Sequence, residues 1–268
     1  MMLFIINKIK KSITLPVFIC LIILTGIYTA LYAESNYGTT GAQILDMYSS
    51  ARLMGMGNAG VGLVGNVDAV IYNPAALSQV EGFSVDLAHA FYFNNTSLNS
   101  VSMAYALGKQ YYDMGLGFKW KYFTAGDTIR DVFGNEGSGF DINFSQYALG
   151  AGIPVYERHS LGLTINTVTE KIYDESGNVI SFNLGWMYNL SVREYQRFLV
   201  GRKGMAAFHK RRVSKRLNAF GAVIKNIGGE IATKGSDGSK LPLEFAAGGT
   251  HELLILKNIM VAWELFTG

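Results

Sequence analysis

The stretch from Ile180 to Leu190 reads ISFNLGWMYNL, and it decides how the rest of the chain is interpreted. Every even-numbered position carries a large apolar or aromatic side chain, whereas three of the five odd-numbered positions carry Ser or Asn. A β-strand turns successive side chains to opposite faces, so the two sets lie on opposite faces. One face is too apolar for water and the other is too polar for a core, which is the pattern of a transmembrane β-barrel strand.

The same alternation recurs along the chain after residue 83. It predicts nine strands, at 83–93, 98–108, 113–124, 140–152, 160–172, 179–191, 216–226, 242–251 and 258–267. The third contains Lys119 and Lys121, which are costly toward lipid but acceptable toward a wet lumen. The longer connections, at 125–139 and 227–241, are predicted to be loops.

The alternation in the fifth and sixth strands predicts which side chains face outward. The set expected to meet lipid is Leu161, Leu163, Ile165, Phe182, Leu184, Trp186 and Tyr188. The set expected to face inward is Asn166, Ser181, Asn183 and Asn189. An arginine is therefore expected to be much more costly at Leu184 than at Asn183.

The first 33 residues have the composition of an export signal. Three lysines precede an apolar run from residue 13 to about residue 30, and Ala33 ends a passable cleavage site. We predict a signal peptide at 1–33. The alternative is an uncleaved anchor, because the apolar run is long enough to span a bilayer.

Loss of this segment would change the charge balance. The whole chain has 23 Lys and Arg against 20 Asp and Glu, and the segment holds three lysines and no acidic residue. The remaining chain would be formally neutral, which gives no indication of nucleic-acid binding. The single cysteine, Cys20, lies in the same segment, so neither a disulfide framework nor thiol chemistry is expected.

Residues 34–80, the N-terminal segment, lack the alternation. Residues 43–54 are predicted to form a short helix, and a glycine-rich stretch follows in which Gly55, Gly57 and Gly60 spell G-x-G-x-x-G. A dinucleotide site would need a strand before this pattern and a long helix after it. We interpret the glycines as points where the backbone turns in a crowded place.

Asn73 and Pro74 predict the start of another helix. Asn is a good N-cap and Pro fits the first helical position, so a helix of one or two turns should end before Gly82. Replacement of Asn73 by Ala is expected to remove about 1 kcal/mol of local stability, the usual value of a cap.

The connection at about 193–216 is strongly basic, with only Glu194 opposing its lysines and arginines. It is interpreted as a solvated loop or, alternatively, as a patch that binds anionic headgroups or an acidic partner. The residues of this candidate patch are Arg202, Lys203, Lys210, Arg211, Arg212, Lys215 and Arg216.

No arrangement in the sequence indicates catalysis. The four histidines are far apart and lack metal-ligand spacing, and neither a nucleophile elbow nor a recognisable pair of carboxylates is present. We therefore expect a protein that is not an enzyme and that has no cofactor and no metal site.

Two groups of residues resemble the FadL-like outer-membrane proteins. ARLMGMGNA at 51–59 and DAVIYNPAAL at 68–77 resemble the start of that family. VIKNIG at 223–228, followed by LPL at 241–243, is similar to its late-strand pattern. The chain looks closest to the uncharacterised spirochaetal branch and to the branch that contains the outer-membrane shuttle of type IX secretion.

The resemblance implies a fourteen-stranded barrel whose N-terminal segment, about 34–80, folds inside as a hatch. The hatch motif would comprise Gly55, Gly57, Gly60, Asn73, Pro74 and Ala75. Nine strands are too few for this fold, and single-chain bacterial barrels use even numbers. The expected fold is thus an all-β, transmembrane antiparallel β-barrel over 81–268 with an N-terminal hatch, incomplete at its C-terminal end.

The leading hypothesis for function is an outer-membrane barrel that takes up hydrophobic solutes such as long-chain fatty acids. Its expected partners are membrane lipid and hydrophobic small molecules, without nucleic acid. The alternatives are a barrel that binds exported or envelope proteins, as a shuttle or scaffold, and a truncated fragment. Uptake predicts an apolar pocket beneath the outer loops, whereas a shuttle predicts a plugged lumen and large external loops.

Overall fold

A computed structural model describes most of the chain after residue 39. The described residues are 40–92, 96–107, 111–130, 133–134, 136–156, 158–190, 199–200, 206–207, 218–232, 238–253 and 259–267. The predicted signal peptide lies outside them. So do the basic residues of the candidate patch, Arg202, Lys203, Lys210, Arg211, Arg212, Lys215 and Arg216.

The described chain is dominated by antiparallel β-structure. Its strands are β1 (Phe83–Phe91), β2 (Ser97–Ala106), β3 (Gly115–Arg130), β4 (Glu136–Tyr156), β5 (His159–Ile172), β6 (Glu175–Asn189), β7 (Leu199–Val200), β8 (Ala206–Ala207), β9 (Ala219–Gly228), β10 (Glu230–Ile231), β11 (Ser239–Lys240), β12 (Glu244–Leu253) and β13 (Ile259–Thr267). Nine of them form one sheet in the order β1-β2-β3-β4-β5-β6-β9-β12-β13. The all-β class and all nine predicted strands are confirmed. Among the described residues, β1 and β13 are the two edges of this sheet.

The two longer connections contain strand pairing that the apolar alternation did not predict. The prediction of a loop over 125–139 is wrong, because β3 continues to Arg130 and pairs with β4, which begins at Glu136. The pairing satisfies backbone groups that a loop would leave to water. The connection at 227–241 contains a second hairpin, in which β10 pairs with β11.

The outward face of β5 and β6 carries the apolar side chains, as predicted. Leu161, Leu163, Ile165, Phe182, Leu184 and Trp186 are between 38% and 49% exposed. Tyr188, at the end of the row, is half-buried. We call this face of the nine-stranded sheet the outer face.

The opposite face, the inner face, is buried rather than wet. Lys119 and Lys121 are 1% and 0% exposed, and Asn183 is 2% exposed. Asn166 and Ser181 are buried as predicted, and Asn189 is half-buried. Asn183 faces inward as predicted, but it meets a buried interface and not a wet lumen, and the lower cost expected for an arginine there than at Leu184 stays a prediction. The Asn183 Oδ1 accepts a hydrogen bond from the backbone of Asn226 at 2.9 Å.

The N-terminal segment covers the inner face as a series of short helices. They are η1 (Gln43–Leu45) and η2 (Pro74–Gln79), both 3₁₀, and α1 (Ala51–Gly55) and α2 (Ala69–Tyr72). The prediction of a single helix over 43–54 is wrong, because residues 46–50 between η1 and α1 are not helical. The helix predicted after Asn73 is confirmed as η2. None of the helices in the described part is long and apolar enough to cross a membrane.

The N-terminal segment runs from one end of the sheet to the other. Its start packs with Phe144, Val168 and Val179, near the end where residues 173–174 join β5 to β6, which we call the far end. Its last helix, η2, packs near the start of β3, at what we call the near end. Strand β1 then leaves from the near end, so the segment lines the inner face along the length of the strands.

Candidate functional site

The inner face carries aligned glycines at the near end. Gly115, Gly152, Gly162 and Gly185 are successive register partners across β3, β4, β5 and β6. A second, shorter row pairs Gly117 with Gly150, and a third pairs Gly221 with Gly248. These glycine rows lower the surface of the sheet, because no side chain rises from it there.

Helix η2 and the residue before it lie directly on the glycine rows. A methyl group added to a row glycine would overlap atoms of the N-terminal segment: Leu77 O from Gly115, Pro74 O from Gly152, Ala75 N from Gly162 and Asn73 Oδ1 from Gly185. Glycine is required here by close approach of two backbones. Sequence reasoning missed this feature, although glycines at inward positions of consecutive strands were a usable signal.

The Asn73 side chain connects η2 to an earlier part of the N-terminal segment and to strand β6. Its Oδ1 accepts the Ala75 backbone N–H at 3.1 Å, which confirms the predicted N-cap. Its Nδ2 donates to Val61 O at 2.8 Å and to Trp186 O, on β6, at 3.0 Å. The side chain is fully buried, and it forms these two hydrogen bonds in addition to the predicted cap. Its loss would leave two buried carbonyl groups without a donor.

A buried ion pair holds α2 against the inner face of the sheet. Lys119 Nζ, on β3, lies 2.5 Å from Asp68 Oδ1, and Ser102 on β2 donates to the same oxygen at 2.6 Å. Burial alone would raise the pKa of Asp68, but the Lys119 ammonium and the hydrogen bonds from Lys119, Ser102 and Ser50 outweigh it and keep the pKa below its ordinary value. The stabilisation is present at neutral pH and is lost as the pH falls through the lowered pKa.

Hydroxyl groups of the inner face and of the N-terminal segment form further hydrogen bonds between them. Each joins a residue of the N-terminal segment to a strand: Thr164 Oγ1 donates to Val70 O at 2.5 Å, Thr250 Oγ1 donates to Gly62 O at 2.9 Å, and Ser78 Oγ donates to Ser160 Oγ at 2.9 Å. The segment is therefore attached to β5, β6 and β12 as well as to β3.

The remaining residues of the predicted hatch motif have separate roles. Pro74 and Ala75 are buried in η2 against the glycine rows. Gly57 has a left-handed backbone with φ of +65°, and a methyl group at Gly60 would overlap the Tyr72 ring. At Gly55 nothing lies within 4 Å of an added methyl group, so neither space nor backbone conformation requires glycine there.

A small cavity with a mixed polar and apolar lining lies between the N-terminal segment and β4, β6, β9 and β12. Its volume is about 20 Å³, which is enough for about one water molecule. Its polar lining consists of Asp46, Gln146, Asn183, Lys225, Asn226 and Glu244. It is therefore not the apolar pocket that the uptake hypothesis predicts.

Charges of both signs surround this cavity. Lys225 and Glu244 form an ion pair at 2.7 Å. Burial raises the pKa of Asp46 to about 6, and the Glu244 carboxylate adds to the rise while Lys225 and Lys121 oppose it. The folded chain thus holds a proton on Asp46 more readily than the unfolded chain does. This group lowers the stability as the pH rises toward about 6.

The late motif of the sequence forms a local junction in the fold. The pairing of β6 with β9 is irregular between Phe182 and Leu184, and Asn226 opposite it has a positive φ of 60°. Asn226 Nδ2 donates to Pro242 O at 2.8 Å. The bulge thereby connects the two parts of the motif that the sequence separates.

The described contacts of the site hold the N-terminal segment on the inner face. In the part of the chain that the structure describes, no group of three or more His, Cys, Asp or Glu could hold a metal ion. No family model matches the chain, and no curated protein matches it either. The functional argument therefore depends on the contacts between the N-terminal segment and the inner face.

The glycine rows predict a difference between two Gly→Ala substitutions. Gly162→Ala should lower the free energy of unfolding by about 1–3 kcal/mol, because the new methyl group overlaps η2 and overpacks the contact. Gly126→Ala in β3 is the matched control, since the nearest atom to its methyl group, Asp141 Oδ1, is 3.9 Å away. Thermal unfolding of both purified variants checks this, and equal changes would contradict the role of the rows.

The substitution Asn73→Asp distinguishes a residue that only caps η2 from one that also donates hydrogen bonds to Val61 and Trp186. Aspartate caps a helix as well as asparagine does, so a residue that only caps would tolerate the change. Because Asn73 donates to Val61 O and Trp186 O, we expect Asn73→Asp to be at least as destabilising as Asn73→Ala. The loss should be about 1–3 kcal/mol for the unpaired buried groups. Chemical denaturation of the two variants beside the unchanged chain measures it, and wild-type stability of Asn73→Asp would contradict a role for the two donated hydrogen bonds.

Proposed function

We propose that this chain is a FadL-like outer-membrane protein that takes up hydrophobic solutes such as long-chain fatty acids, and that its N-terminal segment is the hatch. The observation that carries the proposal is the cover that residues 40–80 form over the inner face along the strands. No chemical step is involved, and membrane lipid and the solute are the partners.

The outer face supports a place in a lipid bilayer. On β6 the outward apolar row runs from Ile180 to Tyr188, about 26 Å at about 3.3 Å per residue. Barrels of the outer membrane carry an apolar band of about 25 Å. Beyond Ile180 the outward residues become polar, with Thr169 on β5 donating to Asn178 on β6 at 2.6 Å. The strands thus continue past the apolar band at the far end.

The hatch role is supported by the way the N-terminal segment is held. A permanent part of a wall would be expected to pair with strands, whereas this segment contacts the sheet through side chains and through η2 on the glycine rows. Such contacts can separate as a unit without breaking the strand ladder. Movement of the segment would expose a lumen lined by the inner face.

The second candidate is a barrel that binds exported or envelope proteins as a shuttle or scaffold. It is favoured by the small size of the cavity and by the charged residues in its lining, because a plugged lumen suits a scaffold better than a solute carrier. In that role the N-terminal segment would stay seated, and function would reside in residues outside the sheet. The two candidates therefore differ in whether the segment must move.

A reversible cross-link between the segment and the wall tests this difference. Ser78 Oγ in η2 and Ser160 Oγ in β5 are 2.9 Å apart, so cysteines at both positions should place their sulfurs within reach of a disulfide. In the Ser78→Cys/Ser160→Cys variant we expect uptake of a fluorescent fatty acid to be lost on oxidation and restored by a reductant. The measurement is made in cells that express the full chain.

The two single-cysteine variants are the controls, and a non-reducing gel verifies the cross-link. Both should take up the fatty acid whether oxidised or reduced. Undiminished uptake by the cross-linked variant would contradict the hatch mechanism. Cells in which the unchanged chain supports no uptake would instead favour the protein-binding role.

An arginine scan along the outward row of β6 tests the membrane assignment. Leu184→Arg should cost about 2–4 kcal/mol of folding free energy in lipid vesicles, because it places a charge near the middle of the apolar band. Asn178→Arg is the matched control, on the same strand and face but beyond the band. It should cost less than about 1 kcal/mol. Equal costs in a urea titration would exclude lipid as the neighbour of this face.

A further inference from the structure

His159 is surrounded by three aromatic rings on the outer face, at the near end. Its ring centroid lies 4.9 Å from that of Tyr188, 5.8 Å from that of Trp186 and 6.4 Å from that of Tyr156. Arg158 precedes it, in the turn between β4 and β5. We call these five residues the aromatic cluster. The cluster lies where the outward apolar rows of β5 and β6 end.

An irregularity in the pairing of β4 with β5 brings Tyr156 into the aromatic cluster. Pro154 pairs with Ser160, so an unbroken ladder would place Val155 opposite His159. The register instead shifts by one residue, and Tyr156 is the partner of His159. A bulge of this kind changes the direction in which a side chain points. The strands therefore depart from regular pairing at the position where the Tyr156 ring joins the other two.

The aromatic cluster has hydrogen-bond donors that its internal contacts leave available. Trp186 Nε1 donates to His159 Nδ1 at 3.2 Å. Because an indole N–H can only donate, the imidazole carries its own proton on Nε2. Arg158 Nη1 donates to the Tyr188 hydroxyl at 3.4 Å, which leaves the hydroxyl hydrogen free to donate. In the part of the chain that the structure describes, neither His159 Nε2 nor this hydroxyl hydrogen has an acceptor.

Arg158 adds a positive charge that no neighbouring anion balances. Its side chain is exposed, and among the described residues no carboxylate lies within ion-pair distance of its guanidinium. The inward cations Lys119 and Lys225 differ in this respect, because each is paired with a carboxylate. A guanidinium forms strong and often bidentate hydrogen bonds with phosphate. The cluster is therefore complementary in charge and in hydrogen bonding to a phosphate group.

The position of the aromatic cluster indicates a lipid as the source of that phosphate. The rings continue into the outward apolar rows, where Leu161 and Leu184 are 47% and 49% exposed, so a hydrocarbon chain attached to the phosphate would meet an apolar surface. Aromatic side chains with a polar edge are typical of the headgroup level of a membrane. At the near end the β4–β5 connection is only residues 157–158, and the short turns of outer-membrane barrels face the periplasm.

We propose that the aromatic cluster binds the phosphate headgroup of an anionic membrane phospholipid. Arg158 binds the phosphate, the Tyr188 hydroxyl and His159 Nε2 are further donors to it, and an acyl chain lies along the apolar row. The inference rests on the membrane placement proposed above and goes beyond uptake, because this lipid stays on the outer face. An anionic phospholipid is preferred to a zwitterionic one, since the cation of a zwitterionic headgroup would lie close to Arg158.

Competition between phosphatidylglycerol and phosphatidylcholine with the same acyl chains tests the site. The purified full chain is placed in detergent micelles that hold equal amounts of both lipids, and native mass spectrometry counts the lipid that it retains. We expect a preference for phosphatidylglycerol that falls about fivefold in Arg158→Gln, the effect of one basic side chain at a membrane surface. Lys171→Gln is the matched control and should keep the preference, because Lys171 is exposed on the same face of β5 at the far end.

Three results would overturn the headgroup site. They are equal retention of the two lipids by the unchanged chain, an equal fall of the preference in Arg158→Gln and Lys171→Gln, and release of the retained lipid by inorganic phosphate alone. None of them affects the proposed function, because the cross-link between η2 and β5 and the arginine scan along β6 test it separately. Retention of neither lipid, together with equal costs in the arginine scan, would remove the membrane placement as well.

Discussion

The approach of η2 to the sheet is the contact on which the rest of the structure depends. Four glycines in register across β3 to β6 allow a helix backbone to lie directly on a strand backbone. Because this seat fixes η2, it also fixes Asn73 between Val61 and Trp186, and it places α2 so that Asp68 reaches Lys119. Side-chain packing alone would leave the segment free to slide, since apolar contacts are not directional.

Polar side chains of the inner face are buried, and the N-terminal segment supplies hydrogen-bonding partners for many of them. Lysine and hydroxyl groups of the strands find their partners in backbone carbonyls and in one carboxylate of the segment. An unpaired polar group would be costly in such a place. The wall and the segment therefore depend on each other, and the polar alternation that suggested a wet lumen reflects an internal interface instead.

Much of this fold could be predicted from period and propensity, because strands and caps are local. The nine strands follow from alternation, and η2 follows from Asn73-Pro74. The loop predicted at 125–139 was wrong because cross-strand pairing continues beyond the residues that show the apolar alternation. The glycine rows and the Asp68–Lys119 pair depend on strand register and on contacts 51 residues apart. Neither quantity can be read from a single sequence.

The position of the N-terminal segment also has a consequence for the order of assembly. Thr250 bonds to Gly62 across 188 residues, and Trp186 bonds to Asn73 across 113. The glycine rows do not exist as a surface until β3 to β6 have paired, so the part of the chain that is synthesised first is seated last. Contacts of such long sequence separation form slowly. During that interval the lysines of the wall remain hydrated, and their dehydration coincides with the final step of folding.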